Sequence, residues 1–241
     1  MPVTTQPRWM PDVALLESTS HLERPGGYVL TQRLLTKLNL ADTDLLVEIG
    51  CGQGATLHYI QQKVHPCSLG IDASLAQLKV ADNDWTAAAS GQALPLASES
   101  AAAVIAECAL TATQAFSQVI AEAWRILNPG GILLISDIYL RQPDHASALK
   151  ALNLNSCLPY ALSRAEIESI LRSARFELLD WQDASATIRD LNEILALTCG
   201  SASQYWQQRE PEADAMDILI ALHRARLGYF TAAAQKGNNY E

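Results

Sequence analysis

The segment that most limits what this chain can fold into is Leu45-Leu46-Val47-Glu48-Ile49-Gly50-Cys51-Gly52-Gln53-Gly54. A short apolar run ends in three alternate glycines. ATLHYIQQKV at 55–64 follows with helical spacing, and CSLGID at 67–72 reads as a second strand. Strand, tight turn, helix and strand in that order make the first crossover of a doubly wound parallel sheet. Glycines at the carboxyl end of the first strand permit a backbone approach that any Cβ would block, in the crevice where open sheets hold ligands.

The alternation continues along the chain. GGYVLTQRLLTKLN at 26–39 is a helix by the spacing of Val29, Leu30, Leu34, Leu35 and Leu38. LAQLKVADN at 75–83 reads as a helix, 86–90 as a short third strand and AAVIAEC at 102–108 as a fourth. The amphipathic stretch TQAFSQVIAEAWRILN meets a stop at Pro129-Gly130-Gly131 before ILLISDIYL, the fifth strand. Ser163 and Glu166 form a capping box that opens a helix, and FELLDWQD at 176–183 is a sixth strand. Residues 185–225 are helical, broken near Cys199-Gly200-Ser201. For GYFTAAAQK the pattern leaves two readings: the alanines at 232–234 favour helix and Gly228-Tyr229-Phe230-Thr231 favours strand.

With 241 residues, 49% hydrophobic and 18% charged, the chain can bury a large core and is no disordered segment. No window of about 18 residues is apolar enough for a membrane span, and residues 1–20 lack the basic-then-apolar order of a secretory signal. A net charge of −9 without a basic run excludes nucleic acid as the expected partner. Cysteines at 51, 67, 108, 157 and 199 form no CxxC, which fits reduced thiols in a cytoplasmic protein.

Spacing bears on the ligand. A dinucleotide fingerprint, G-x-G-x-x-G, would want its third glycine at position 55, where Ala55 stands. Alanine is tolerated there, so Glu48 decides: a carboxylate aimed into the crevice repels a pyrophosphate and suits an ammonium or sulfonium group. Asp72, closing the second strand, is placed to accept hydrogen bonds from ribose hydroxyls, or else to cap the helix that follows Ala73. The expected ligand is a nucleoside with a positively charged tail.

These segments resemble the class I S-adenosylmethionine-dependent methyltransferases. VEIGCGQG is similar to their first motif, GIDAS to the segment with the ribose-binding acid, and ALPLASESAAAV and LNPGGILLISD to the stretches entering the fourth and fifth strands. The resemblance covers about 24–183. Within the family the chain looks most like small-molecule enzymes typified by quinone-biosynthesis C-methyltransferases and arsenite methyltransferases, whose opening helix RPGGYVLTQRLL resembles. The resemblance implies a Rossmann-like, seven-stranded, mostly parallel α/β sheet with GYFTAAAQK as an antiparallel last strand. It divides one structural domain into a leader and opening helix at 1–40, a cofactor-binding core at 41–184, a helical insertion at 185–225 and a final strand and tail at 226–241. The insertion offers a pocket wall or a homodimer face.

The resemblance also implies S-adenosylmethionine as cofactor, S-adenosylhomocysteine as product and a small-molecule acceptor, with no metal and no membrane. Cofactor contacts fall to Glu48, Gly50, Cys51, Gly52, Gly54, Asp72, Ala73, Ser90, Gly91 and Glu107. Ser90-Gly91 stands where the family often has an acid for the adenine amino group, and Ala101-Ala102 replaces the usual Phe-Asp pair. Asp137 and Tyr139, after the fifth strand, are the candidate acceptor-facing groups: a base or orienting carboxylate and a pocket wall, or else a strand-end cap and packing. Arg141 reads as a surface residue and His21 as incidental. An arsenite-type site would need Cys51, Cys108 and Cys157 to converge. The alternative functions are a regulatory or non-catalytic S-adenosylmethionine-binding protein and, further off, a nicotinamide oxidoreductase.

Overall fold

Seven strands form a single sheet in the computed structural model, which describes residues 24–63, 67–81, 84–189 and 199–237. The expected leader at 1–20, His21 and residues 190–198 of the insertion lie outside the described residues. The strands are β1 (Leu46–Ile49), β2 (Ser68–Asp72), β3 (Thr86–Ala88), β4 (Ala101–Glu107), β5 (Leu127–Leu140), β6 (Phe176–Asp183) and β7 (Leu227–Lys236), in the order β3-β2-β1-β4-β5-β7-β6. β1 to β5 pair in parallel, and β7 runs antiparallel to both β5 and β6. The fold is thus the α/β sheet the resemblance implied.

Helices cover both faces, and the period-two alternation of each strand decides which side chain meets which helix. Leu133 and Ile135 of β5 and Val104 of β4 point to the face carrying α4 (Phe116–Ile126) and α6 (Arg164–Ser173), where Val119, Ile120, Ile126, Ile167 and Leu171 complete the larger core. Leu134, Ile105 and Leu46 point the other way, onto Leu34 and Leu35 of α1 (Gly27–Leu35) and Ile60 of α2 (Ala55–Lys63). The small helix α3 (Leu75–Ala81) joins β2 to β3. Beyond the carboxyl end of β5, α5 (Ala146–Ala151), α7 (Ala202–Arg209) and α8 (Ala215–Ala225) surround a third apolar cluster with Ile138, Leu140, Leu149 and Ile218. Among the described residues no helix is long and apolar enough to cross a membrane.

The last strand overrides the helix propensity of its alanines because of where it lies. Ala232 and Ala234 face the larger core and Ala233 the opposite one, all at 1% exposure or less. Small side chains suit a slot between two strands with helices packed over both faces. At its far end Lys236 is fully buried: its Nζ donates to the Leu127 carbonyl at 2.7 Å and stands 4.1 Å over the Trp124 ring.

Two local expectations are corrected. Pro129-Gly130-Gly131 does not separate helix from strand: α4 ends at Ile126, and β5 starts at Leu127 and carries these residues as an irregularity in its pairing with β4. Gly130 takes φ +77°, and a Cβ on Gly131 would lie 2.9 Å from the Asn128 carbonyl and 3.0 Å from that of Ala102, so the glycines let the strand bulge without losing its neighbour. The insertion is broken twice among the described residues, at Gly200 (φ +82°) before the Ser201 cap and again between Arg209 and Asp214.

Ser163 caps α6 as expected, its hydroxyl accepting from the Glu166 amide while the Glu166 carboxylate accepts from the Ser163 amide. The Ser163→Ala protein should lose about 1 kcal/mol, or about 2–4 °C in a thermal melt for a chain of this size; an unchanged melting point would refute the contribution of this cap.

Candidate active site

The glycine turn is built by hydrogen bonds that only a left-handed backbone allows. Gly50, Gly52 and Gly54 adopt φ of +75°, +52° and +81°. Gly50 and Cys51 amides donate to the Ile71 carbonyl, tying the turn to β2, and the Gly54 amide donates back to Cys51. A Cβ on Gly50 would fall 2.4 Å from the Ala109 side chain, whereas one on Gly52 would meet nothing within 4 Å. The turn is therefore pressed against the segment after β4 and open beside Gly52. Cys51 lies buried under it against Gly70, and burial, with Glu48 and Asp72 nearby, pushes its thiol pKa up.

Asp72 fastens this turn. Its Oδ2 accepts from the Gly52 amide at 2.9 Å and its Oδ1 from the Ser74 amide at 2.7 Å, so the carboxylate spans β1's turn and the start of α3. Exposed Ala73 lies between. Ser90 and Gly91 follow β3 beside them: the Ser90 hydroxyl accepts from the Gln92 amide, and Gly91 packs against Ile49 and Val119 closely enough that a Cβ would sit 3.1 Å from Ile49. The next stretch is held by Glu122 and Arg125 of α4, which bind the Leu94 amide and the Leu94 and Leu96 carbonyls. Sequence reasoning missed this clamp, whose partners lie 28 to 31 residues apart.

On the face covered by α1 and α2, the strands turn polar at their carboxyl ends. Glu107 and Ser136 are cross-strand neighbours, as are Ser136 and Thr231. Glu107 is 7% exposed and accepts from Thr31, Thr56 and Ser136 hydroxyls while pairing with Arg24 Nη2 at 2.9 Å. Arg24, just before α1, also donates to Thr31. Glu48 sits on the same face at 3% exposure, and its Oε2 has no hydrogen-bond partner among the described residues. Burial and the charge of Glu107 push its pKa up to about 8, against the pull of Arg24 and of the Leu57 amide and Thr56 side chain at the start of α2. The Arg24 Nε is likewise buried without a hydrogen-bond partner among the described residues. Arg24, Thr31 and Thr56 carried no sequence signal of a site beyond the position of RPGG.

The chain leaves β4 in strained geometry, with Cys108 at φ +52°. Its sulfur lies 2.9 Å from the Tyr229 hydroxyl, which donates on to Ser136 Oγ at 3.1 Å. Burial raises the pKa of both the thiol and the phenol. Asp137 and Tyr139, expected to face an acceptor, are engaged elsewhere. Asp137 accepts from the Thr111 and Ile138 amides at 2.9 and 2.8 Å and holds the turn after β4 to β5, with burial raising its pKa to about 6. Tyr139 lies edge-on to Trp181 and Phe230 in the larger core, on the side opposite Glu48 and Glu107. Cys108 and Cys157 border the same apolar cluster, whereas Cys51 belongs to the glycine turn. No three His, Cys, Asp or Glu among the described residues are placed to hold a metal ion.

Residues 47–135 match a family model described as a methyltransferase domain. Over that stretch the chain is similar to methyltransferase domains. A malonyl-[acyl-carrier protein] O-methyltransferase of Marinomonas sp. (strain MWYL1) is 27% identical over 64% of this chain and 60% of its own length. An uncharacterized methyltransferase of Bacillus subtilis (strain 168) is 28% identical over 49% of this chain and 54% of its own. The chain thus spans little more than half the length of these curated relatives. Among solved structures, a [4+2]-cyclase superposes with TM-score 0.69 at 21% identity, covering 90% of this chain and 83% of that one. A geranyl diphosphate methyltransferase solved with geranyl diphosphate and sinefungin gives 0.68 at 17%, covering 88% and 79%. Likeness at such identities is likeness of fold.

One consequence for stability follows from the burial of Glu48. A Glu48 carboxyl held neutral up to about pH 8 contributes its stability below the ordinary carboxylate range and loses it as pH rises toward 8. Between pH 5 and pH 8 the parent should therefore lose up to about 1.4 kcal/mol per pH unit from this group. Glu48→Gln should flatten that decline in chemical denaturation, Asp137 contributing equally to both proteins; parallel curves would refute it.

Proposed function

We propose that this chain binds S-adenosylmethionine across the carboxyl ends of β1, β2 and β4 and transfers its methyl group to a small-molecule acceptor. The observation that carries the reading is a buried carboxyl and a buried guanidinium beside an open glycine turn, each with one atom left without a hydrogen-bond partner among the described residues. Glu48 Oε2 suits the ammonium of an amino-acid tail, and Arg24 Nε suits its carboxylate. The space beside Gly52 leaves room for the tail's backbone. Asp72, with its two oxygens already fixed by amides, presents its remaining lone pairs toward ribose hydroxyls. Ser90 and Gly91 border the base, and Gly50, Cys51, Gly54, Ala73 and Glu107 support these contacts.

When bound, the sulfonium supplies the methyl group and leaves as a neutral thioether. The protein's task is then alignment and exclusion of water. The rigid turn held by Asp72 would fix one reactant, and the side chains past β4 and β5, among α5, α7 and α8, would orient the other. A small acceptor is favoured by the net charge of −9 without a basic surface run. All five cysteines are free, which fits a reducing, cytoplasmic setting. In this reading the 41–184 core binds the cofactor and the 185–225 insertion shapes the acceptor side or a homodimer face.

Calorimetry with S-adenosylhomocysteine, 5′-methylthioadenosine and NADH tests the assignment. Asp72→Ala should weaken the first two alike, by about tenfold for a lost charge-assisted contact. Arg24→Gln should weaken S-adenosylhomocysteine by a similar factor and leave methylthioadenosine, which lacks the amino-acid tail, unchanged. Binding of NADH alone would overturn the cofactor, and equal losses for both ligands in Arg24→Gln would overturn the role of Arg24.

A further inference from the structure

The corner between α7 and the segment leading to α6 holds polar groups that the cofactor reading leaves unused. Glu210, at the carboxyl end of α7, is 6% exposed; its Oε2 accepts from the Asn155 amide at 3.1 Å, and its Oε1 has no partner among the described residues. Ser156, next along that loop, is 9% exposed, and its hydroxyl also has none. A buried carboxylate oxygen left bare is costly enough that such groups almost always meet a ligand or an ordered water.

Their surroundings connect this corner to the carboxyl edge of the sheet. Leu154 and Leu158 flank the pair and belong to the apolar cluster of Ile138, Ile218 and Tyr229, against which Cys108, Cys157 and Trp206 also pack. Burial and then the charge of Asp137 push the Cys157 thiol up to about 12, while Arg209 pulls the other way. The Tyr205 phenol is raised by burial and feels Arg209, Cys157 and Glu210 together. Its ring meets Trp206 edge-on at 5.1 Å. A packed apolar cluster bordered by an aromatic pair thus extends from the end of β5 to the loop that carries one bare carboxylate oxygen and one bare hydroxyl.

We propose that this corner is a recognition subsite for the methyl acceptor and takes a ligand with an apolar body and a protonated amine, the amine donating to Glu210 Oε1 and Ser156 Oγ. The apolar body lies along that cluster toward Cys157. A carboxylate in the same place would face Glu210 and is disfavoured. The assignment as acceptor subsite rests on the methyl-transfer reading; the preference for an amine rests on Glu210 and Ser156 alone.

Phenethylamine, 2-phenylethanol and 3-phenylpropionate share one body and differ in the head group, so their binding to the full chain, followed by ligand-observed NMR with and without S-adenosylhomocysteine, tests the proposal. Phenethylamine should bind about tenfold more tightly than phenylpropionate. Glu210→Gln, which keeps the size of the side chain, should remove that preference, and Ser156→Ala should weaken the amine about threefold. Both variants should bind S-adenosylhomocysteine as the parent does. If the three probes bind alike, if none binds, or if Glu210→Gln keeps the preference, the subsite is overturned and a water satisfies Glu210. If the amine preference holds but S-adenosylhomocysteine does not bind, the cofactor reading falls and the amine site stands.

Discussion

Two carboxylates and one guanidinium, closed off from water on one face of a β-sheet, set the terms for the rest of this molecule. Glu107 takes the guanidinium of Arg24 and three hydroxyls, and Glu48 is left short of partners. Burying such a group costs several kcal/mol unless its charge is matched or its proton retained. The arrangement therefore holds together only if four parts of the chain are in place at once: the residues before α1, the first turn of α2, and the ends of β4 and β5. That requirement makes the opening helix part of the site rather than a decoration on it. In the proposed reading, the same shortage of positive charge favours a cationic tail in the crevice.

How much of this could be read in advance depended on sequence distance. The glycine turn and Asp72 act through partners within about twenty residues, and their spacing is tied to strand and helix lengths that pattern reveals. The capping box of Ser163 and Glu166 was legible for the same reason. Glu107 was legible as a position but not as a partner, because Thr31 and Thr56 reach it across 76 and 51 residues. Asp137 and Tyr139 show the opposite difficulty. Strand-end placement marks both, yet one holds a turn and the other fills an aromatic core, a difference set by which face each side chain takes. Pro129-Gly130-Gly131 reads as a stop because its composition is that of a stop; only the neighbouring strand turns it into a bulge.

The fold divides its work between two kinds of segment. The turn after β1, the end of β2 and the loop after β3 are short and fixed by backbone hydrogen bonds, so little variation is open to them. Chain added after β5 and the described part of that between β6 and β7 is longer and packs beyond the carboxyl end of β5. A [4+2]-cyclase and a geranyl diphosphate methyltransferase superpose on this chain about equally well. The shared sheet therefore says little about the second reactant, and the answer has to come from side chains such as those around Cys157 and Trp206.

The position of β7 has a bearing on how the molecule comes into being. This strand is synthesised after the other six, yet it belongs between β5 and β6 and is the sole described neighbour of β6. Until it emerges, the nascent protein presents the long apolar edge of β5 unprotected, with β6 waiting beside an empty track. Exposed edges of that kind invite pairing with other chains. Parallel strands, glycine turn and Asp72 can all be ready while the ribosome is still at work, but the sheet closes only once β7 has been made, and that interval is when the growing chain most needs shelter.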